Sequence, residues 1–454
     1  MPHDNNVEIR GFIDDQPFSR YQWLILVLCF LAVALDGFDT AIIGFIATSL
    51  VQEWGIEKTS LGPVMSAALV GLAVGALAAG PLADRIGRKK VLVISLLLFG
   101  GFSLLTAFAG SLSTLTLLRF LTGLGLGAAM PNAATLMSEY APQRCRALMV
   151  NLMFCGFPLG SSLGGFSSAW LIPHFGWQSV MVLGGVMPLL LALVLIAALP
   201  ESARFMVARG YAAQRIAKVL KRIAPLPKTP HFMLQEEGQI KAASPLGMIF
   251  SRRYLLGTLM LCLTYFMGLM IFYLLTSWLP LLIRETGASV TQASLITALF
   301  PLGGGLGVLI IGWLMDRMNP HKVVAVGYLL TGLFVGIIGF VYSYPPLMAI
   351  TVFIAGTCMN GAQSSMPALA AGFYPTQSRA TGVAWMLGLG RFGGILGAMS
   401  GGALMQMQLS FSTIFTLLAI PALIAALALI AKHLSGYPAL PALPAPLNKN
   451  AVRE

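Results

Sequence analysis

Ala34-Leu35-Asp36-Gly37-Phe38-Asp39-Thr40 sets two carboxylates inside an apolar run that begins at Tyr21 and ends near Leu50. Three residues apart on a helix, Asp36 and Asp39 share roughly one face. A charged side chain in a bilayer core costs at least ~2.5 kcal/mol, so it faces a protein interior or an aqueous path. Two readings are open. An Asp can fix its own helix by bonding an arginine or backbone amides, or it can serve as a proton or ion site. Two on one face favour the second.

The rest of the chain has the same apolar character. Of its 454 residues 57% are hydrophobic and only 10% charged, against about 25% charged in ordinary soluble domains. Such a composition belongs to an all-α polytopic membrane protein. The first 20 residues are polar and acidic, with no short apolar stretch before a cleavage site, so the first span is expected to anchor itself. The five cysteines show neither pairing nor metal spacing, which argues against disulfides and metal sites. The few His, Asp and Glu outside the apolar runs form no triad or metal constellation, so no enzyme and no cofactor beyond a coupling proton is expected.

Twelve runs have the length of a membrane helix: 21–50, 60–83, 91–110, 114–137, 147–172, 177–199, 254–283, 291–315, 323–342, 345–373, 380–406 and 411–432. All but four of the 28 Lys and Arg fall on the side that carries the N-terminus, the even-numbered connections and the C-terminus. The exceptions are Lys58 and Arg284 on the opposite side, and Arg119 and Arg391 inside spans. This asymmetry predicts cytoplasmic termini and makes the net charge of +12 topogenic rather than a nucleic-acid footprint. The expected organisation is an N-tail (1–20), a six-helix half (21–199), a cytoplasmic linker (200–253), a second six-helix half (254–432) and a C-tail (433–454) that reads as disordered from its Pro and Ala content.

The halves repeat. Gly80-Pro-Leu-Ala-Asp84-Arg85-Ile-Gly87-Arg88-Lys89-Lys90 follows the second span, and Gly312-Trp-Leu-Met-Asp316-Arg317-Met-Asn319-Pro-His321-Lys322 follows the eighth, 232 positions on. Arg146 after the fourth span has its counterpart in Arg379 after the tenth, 233 positions on. Two motifs at one offset indicate a duplication.

On these residues the chain resembles the major facilitator superfamily, whose loop signature Gly80–Lys90 fits. Asp36-Gly-Phe-Asp39, Arg119-Phe-Leu-Thr-Gly123-Leu-Gly-Leu-Gly127-Ala-Ala-Met-Pro131-Asn132 and Ser138-Glu139-Tyr140-Ala-Pro are similar to the aromatic acid:proton symporters, the 4-hydroxybenzoate permeases among them. Pro200-Glu201-Ser202-Ala203-Arg204-Phe205 resembles a motif of sugar porters and their relatives. The second loop copy departs from the signature at Asn319-Pro320-His321. The fifth span matches the Gly-Pro motif of drug antiporters only in part. The resemblance implies a monomeric two-half transporter in a bacterial inner membrane, taking up a small aromatic monocarboxylate such as 4-hydroxybenzoate or protocatechuate with protons.

Depth along the helices sorts the charges. Asp36 lies ~22 Å from Tyr21 and Arg119 ~8 Å from Thr114, which enters from the other side, so the two Asp and Arg119 are at comparable depths in the extracytoplasmic part of one half. An Asp–Arg pair there is either a frame or a switch, and the sequence leaves open which Asp carries a proton. Arg391 lies ~17 Å into the eleventh span, near the midplane, and the second half has no acidic residue within a span core. It is a candidate anchor for a substrate carboxylate; backbone carbonyls or Asp36 are its alternative partners. Phe38, Phe157, Tyr265 and Phe392 are candidate ring walls, as are Phe154 and Trp385. Asn360, Gln363 and Asn132 could reach a ring hydroxyl. Asp84, Arg85, Gly87, Arg88, Glu139, Arg144, Arg146, Asp316, Arg317, His321 and Arg379 form a candidate cytoplasmic gate for alternating access. The alternatives are a porter of another organic acid or a sugar, a drug/proton antiporter, and a transporter-like sensor.

Overall fold

The computed structural model describes residues 6–227, 230–233 and 245–434. Among these are twelve helices long and apolar enough to cross a membrane. In the first half they are α2 (Arg20–Trp54), α3 (Leu61–Ile86), α4 (Arg88–Thr106), α5 (Leu112–Tyr140), the pair α6 (Arg146–Phe154) and α7 (Gly156–Phe175) that together make one span, and α8 (Trp177–Ala198). In the second half they are α12 (Leu255–Glu285), α13 (Val290–Arg317), α14 (Pro320–Ile338), α15 (Pro345–Phe373), α16 (Thr376–Gln406) and α17 (Phe411–Leu434). Helix starts follow local rules. Ser19 with Gln22 and Ser289 with Gln292 form reciprocal capping boxes at α2 and α13, which satisfy otherwise orphaned amides. Gly55 ends α2 in the left-handed conformation (φ 60°), where a side chain would be strained.

Close helix packing exposes the duplication more fully than the loops do. Side chains at Gly71, Gly75, Gly123 and Gly127 would run into the carbonyls of Phe120, Leu124, Ala68 and Leu72, so α3 and α5 approach backbone to backbone. Small residues permit this where lipid gives no hydrophobic drive. In the second half Gly303, Gly307 and Gly356 meet the carbonyls of Phe353, Thr357 and Phe300 between α13 and α15. These lie 232, 232 and 233 positions after Gly71, Gly75 and Gly123. Likewise Gly160 on Ala34 and Gly164 near Phe38 recur as Gly393 on Phe266 and Gly397 on Met270. The two halves are therefore in register residue by residue.

The segment between the halves contains α9 (Ala203–Ala208), α10 (Ala213–Leu220), a strand β2 (His231–Met233) and α11 (Pro245–Ile249), in keeping with a linker of short helices. The residues before α2 are more structured than a tail. Asn6–Glu8 forms strand β1, parallel to β2, and α1 (Ile9–Asp15) buries Ile9 and Ile13, one turn apart, under the bundle. Apolar residues at that spacing give even a short polar segment one face to dock. At the other end α17 continues to Leu434, so His433 is helical. The expectation of disorder beyond it lies outside the described residues.

The bundle has two unlike ends. One, the basic end, carries Asp84, Arg88, Arg146, Arg317 and Arg379. The other, the sparse end, carries Lys58 and Glu285. The halves meet along α2/α12, α3/α16 and α7/α13. Among the described residues their direct polar links are Lys58–Glu285 (2.7 Å), the Thr291 hydroxyl donating to the Ala169 carbonyl (3.2 Å), and Arg391 donating to the Leu72 carbonyl (3.1 Å). The first two lie at the sparse end and the third halfway along. Close approaches of Gly62 to Met399, Gly402 to Thr59 and Gly44 to Thr276 and Ser277 add to the sparse-end seal.

Candidate functional site

The two carboxylates of the first span do different things. Asp39 is wholly buried and turned into its own half. Arg119 Nη1 donates to its Oδ1 (3.2 Å), Nη2 stands 2.9 Å from Oδ2 and donates to the Asp39 main-chain oxygen (3.1 Å), and the Ser103 hydroxyl donates to Oδ1 (2.6 Å). Arg119 is also fully buried. Three helices, α2, α4 and α5, are thus tied by one charged cluster. Asp36 lies a turn nearer the basic end. Its hydrogen bond is from the Thr40 hydroxyl (3.4 Å), and among the described residues no cation comes within ion-pair distance. Arg391, on the opposite half, holds the Leu72 carbonyl, and Leu72, Thr40 and Tyr273 of α12 line one cavity at the seam. The i, i+3 spacing put both acids on one broad face; the 60° between them suffices to point one into the half and the other to the seam.

The register of the halves shows what this cluster replaces. Counting 232 or 233 positions on, Asp39, Ser103 and Arg119 fall on Ile271, Val335 and Val352, all buried and apolar. The same fold packs these three levels once with an ion-paired cluster and once with hydrocarbon.

Arg391 reaches across the seam and is half-buried. One N–H is taken by the Leu72 carbonyl, the backbone partner that was one of its alternatives. Its other donors have no acceptor among the described residues. Tyr265 stands beside it, packed on Gly390. Phe157 of the first half approaches Phe272 of the second with ring centroids 6.2 Å apart, so it does line the seam. Asn360 and Gln363 are buried between α15 and α12–α13, where Gly304 and Gly268 leave room for their amides.

Other ring walls fall elsewhere. Phe392 is 62% exposed and belongs to a stripe with Trp385, Leu389, Leu396 and Met399 at helical spacing. That is the outward apolar face of α16, so Phe392 and Trp385 leave the pocket. Phe154 is likewise exposed. The Phe38 ring points into its own half, against Gly164 and Gly184. Asn132 bonds its own helix at the Ala128 carbonyl.

The basic-end charges come together within the first half but not across the halves. Arg88 pairs with Asp84 (2.9 Å) and stands 3.8 Å from Glu139. Arg146 meets Asp14 (3.4 Å), and Arg144 donates to the Gln16 carbonyl. Gly87, at φ 105°, turns the chain tightly against the Glu201 carboxylate, which also accepts from the Lys89 amide. Arg85 and Asp316 are exposed, Arg317 lies over the Trp313 ring (4.0 Å), and His321 meets Lys432 (2.6 Å). Arg379 Nε makes no hydrogen bond among the described residues. The expected network joining Asp84, Glu139 and Asp316 is therefore not assembled in this conformation. The ion pair that does bridge the halves, Lys58–Glu285, is at the opposite end. Lys58 and Glu285 each stand next to an opposite charge along the chain, Glu57 and Arg284, so neither showed as half of a bridge between the two halves.

A twelve-helix, two-half bundle with a buried acid on one half and a half-buried arginine reaching over the seam from the other is the architecture of a membrane transporter. Residues 29–286 and again 261–451 match the Major Facilitator Superfamily, to which the chain belongs. It is 56% identical over 434 residues, 95% of this chain and 97% of the other, to the 4-hydroxybenzoate transporter PcaK of Pseudomonas putida. It is 50% identical over 445 residues, 98% and 99% of the two chains, to the gallate transporter of the same species. Among solved structures the D-xylose-proton symporter superposes with a TM-score of 0.70 at 17% identity, covering 90% of this chain and 97% of that one.

Proposed function

We propose that the protein is a monomeric symporter that carries a small aromatic monocarboxylate, such as 4-hydroxybenzoate or protocatechuate, into the cell with protons. The membrane is the bacterial inner membrane, with both termini and the basic end in the cytoplasm. The observation that carries the reading is a gap at the seam lined by Thr40, Leu72 and Tyr273, with Asp36 bonded to Thr40 on one half and Arg391 of the other half bonded to the Leu72 carbonyl, and no ion pair between them. A carboxylate ligand fits that gap. The free edge of the Arg391 guanidinium can hold it bidentately, with Tyr265, Tyr273 and Phe157 as aromatic walls. The names of the close relatives support the substrate class.

Coupling follows from charge. An ionised Asp36 repels an incoming carboxylate; a protonated one does not. Proton and anion therefore favour each other's binding, and loss of the proton on the inside expels the anion. Both carboxylates are buried, but Asp39 is neutralised by Arg119 and Ser103 while Asp36 has only the Thr40 hydroxyl, so the carrier role goes to Asp36 and the framing role to Asp39. This conformation, sealed at the sparse end, is the one that faces the cytoplasm.

The test is uptake of labelled 4-hydroxybenzoate into proteoliposomes under an imposed pH gradient. Accumulation is expected to collapse with a protonophore. Asp36→Asn is expected to lose gradient-driven accumulation while keeping exchange of external for internal acid. Uptake indifferent to the protonophore, or normal accumulation by the variant, refutes the mechanism.

A further inference from the structure

Tyr328 is buried in the second half, in α14, and its hydroxyl donates to Gln363 Oε1 at 2.5 Å. On the other side Gln363 Nε2 donates to the Tyr265 main-chain carbonyl at 3.4 Å. A carbonyl can only accept, so this contact fixes which end of the amide is nitrogen, and Tyr328 holds the oxygen. Nε2 retains a second N–H with no acceptor among the described residues. One turn along the same face of α15, Asn360 uses its Nδ2 on the Gly356 carbonyl (3.0 Å), and its Oδ1 has no donor among the described residues. A spare donor and a spare acceptor thus stand on neighbouring positions of one helix face, whose Cβ atoms are about 5–6 Å apart. A phenolic hydroxyl, which both accepts and donates, is complementary to that pair.

The internal repeat shows that this cluster is specific to one half. At the matching positions Tyr265, Tyr328, Asn360 and Gln363 correspond to Val33, Leu96, Gly127 and Met130. Gly268, where a side chain would collide with Gln363 and Tyr328, corresponds to Asp36. The fold has no need of polar groups there. The acid on the first half and the amide pocket on the second occupy equivalent levels on either side of the seam. Tyr265 links them, since its ring packs beside Arg391 and its carbonyl holds Gln363.

We propose that Gln363 and Asn360 read the ring hydroxyl of the substrate, and that Tyr328 is the positioning residue that aims the Gln363 amide. The proposal rests on the aromatic-acid reading above. It adds what that reading lacks, a reason for the site to prefer hydroxylated over unsubstituted benzoates. Leaving a buried polar pair unmet by benzoate disfavours it.

The experiment measures inhibition of labelled 4-hydroxybenzoate uptake by unlabelled 4-hydroxybenzoate and by benzoate in proteoliposomes. Wild type is expected to favour the hydroxylated acid. Gln363→Leu is expected to cut that ratio about tenfold, chiefly by weakening 4-hydroxybenzoate. Tyr328→Phe, which keeps the ring, is expected to move the ratio in the same direction by less. Gln363→Asn with its shorter reach is expected to recover little, and Gln363→Glu, an acceptor in place of the donor, none. Equal loss of affinity for both acids in Gln363→Leu and Tyr328→Phe, or an unchanged ratio in both, overturns the proposal. A wild-type protein that takes up neither acid overturns the aromatic-acid reading itself, and this proposal with it.

Discussion

The apolar counterpart of the Asp39 cluster supplies its own replacement. Arg119→Val alone strands the Asp39 carboxylate in a fully buried site with the Ser103 hydroxyl as its remaining side-chain donor. Removing one member of a buried ion pair costs about 3–5 kcal/mol, because the other charge stays buried and uncompensated. The second half packs the equivalent three positions with Ile271, Val335 and Val352, none more than 1% exposed. Installing that set as Asp39→Ile, Ser103→Val and Arg119→Val removes both charges and fills the volume with residues the same local fold already accommodates. Such swaps of a buried pair are neutral or stabilising by about 1–4 kcal/mol. The expected order of melting midpoints in detergent is therefore triple variant at or above wild type, and Arg119→Val well below both. Fluorescence-monitored thermal unfolding, with monodispersity checked on a sizing column, reads the order. A triple variant no more stable than Arg119→Val refutes the reasoning, for it means that the two halves do not pack these levels interchangeably.

Three further outcomes follow from the geometry. Arg391→Lys keeps the charge but loses the planar fork, and is expected to raise the apparent KM for 4-hydroxybenzoate by about 10- to 100-fold, the worth of one charge-assisted bond; an unchanged KM removes Arg391 from the site. Gly71→Ala and its counterpart Gly303→Ala place a methyl against a main-chain carbonyl, an overpacking worth about 1–3 kcal/mol, whereas Gly305→Ala, which meets nothing within 4 Å, is expected to be neutral or mildly stabilising. Thermal melts of the three variants separate the cases. Lys58→Glu sets like charges at the sparse-end clasp and is expected to make the seam there more reactive to a bulky thiol reagent aimed at a cysteine introduced at Thr276, which is buried in that seal. Restoration by Glu285→Lys is the check. The pair is a third to a half exposed, so the shift is on the order of 1 kcal/mol or less.

What the sequence disclosed and what it withheld divide along a physical line. Span number, the two halves and the Asp–Arg pairing all rest on one-dimensional quantities: run length, charge count and depth at 1.5 Å per residue. Those are insensitive to rotation about the helix axis. Which Asp faces Arg119, whether Phe392 looks inward, and whether Phe38 lines a pocket all depend on that rotation. In spans that are apolar all round, the pattern carries almost no rotational signal. Phe392 and Arg391 are neighbours in sequence yet lie about 100° apart, enough to put one at the lipid face and the other at the seam. Ser103, Tyr328 and Tyr273 were missed for the same reason. A lone hydroxyl in an apolar run has no spacing to be read.

The internal repeat recovers part of the missing rotation, and it does so from sequence once the glycine contacts have set the register. A position that is polar in one half and apolar in the other is not needed by the fold, because the fold is built both ways. Asp36 against Gly268, Asp39 against Ile271, Arg119 against Val352, Gln363 against Met130 and Arg391 against Pro158 are such positions. All five lie at the seam or in the polar clusters beside it, and they alternate: acid and its arginine on the first half, amides and an arginine on the second. A transporter with two equivalent halves could rock but would bind a polar ligand symmetrically. A substrate with a carboxylate at one end and a hydroxyl at the other requires the halves to differ where they face it. That is where this chain departs from its own duplication, while the glycines that set helix spacing are kept in both halves.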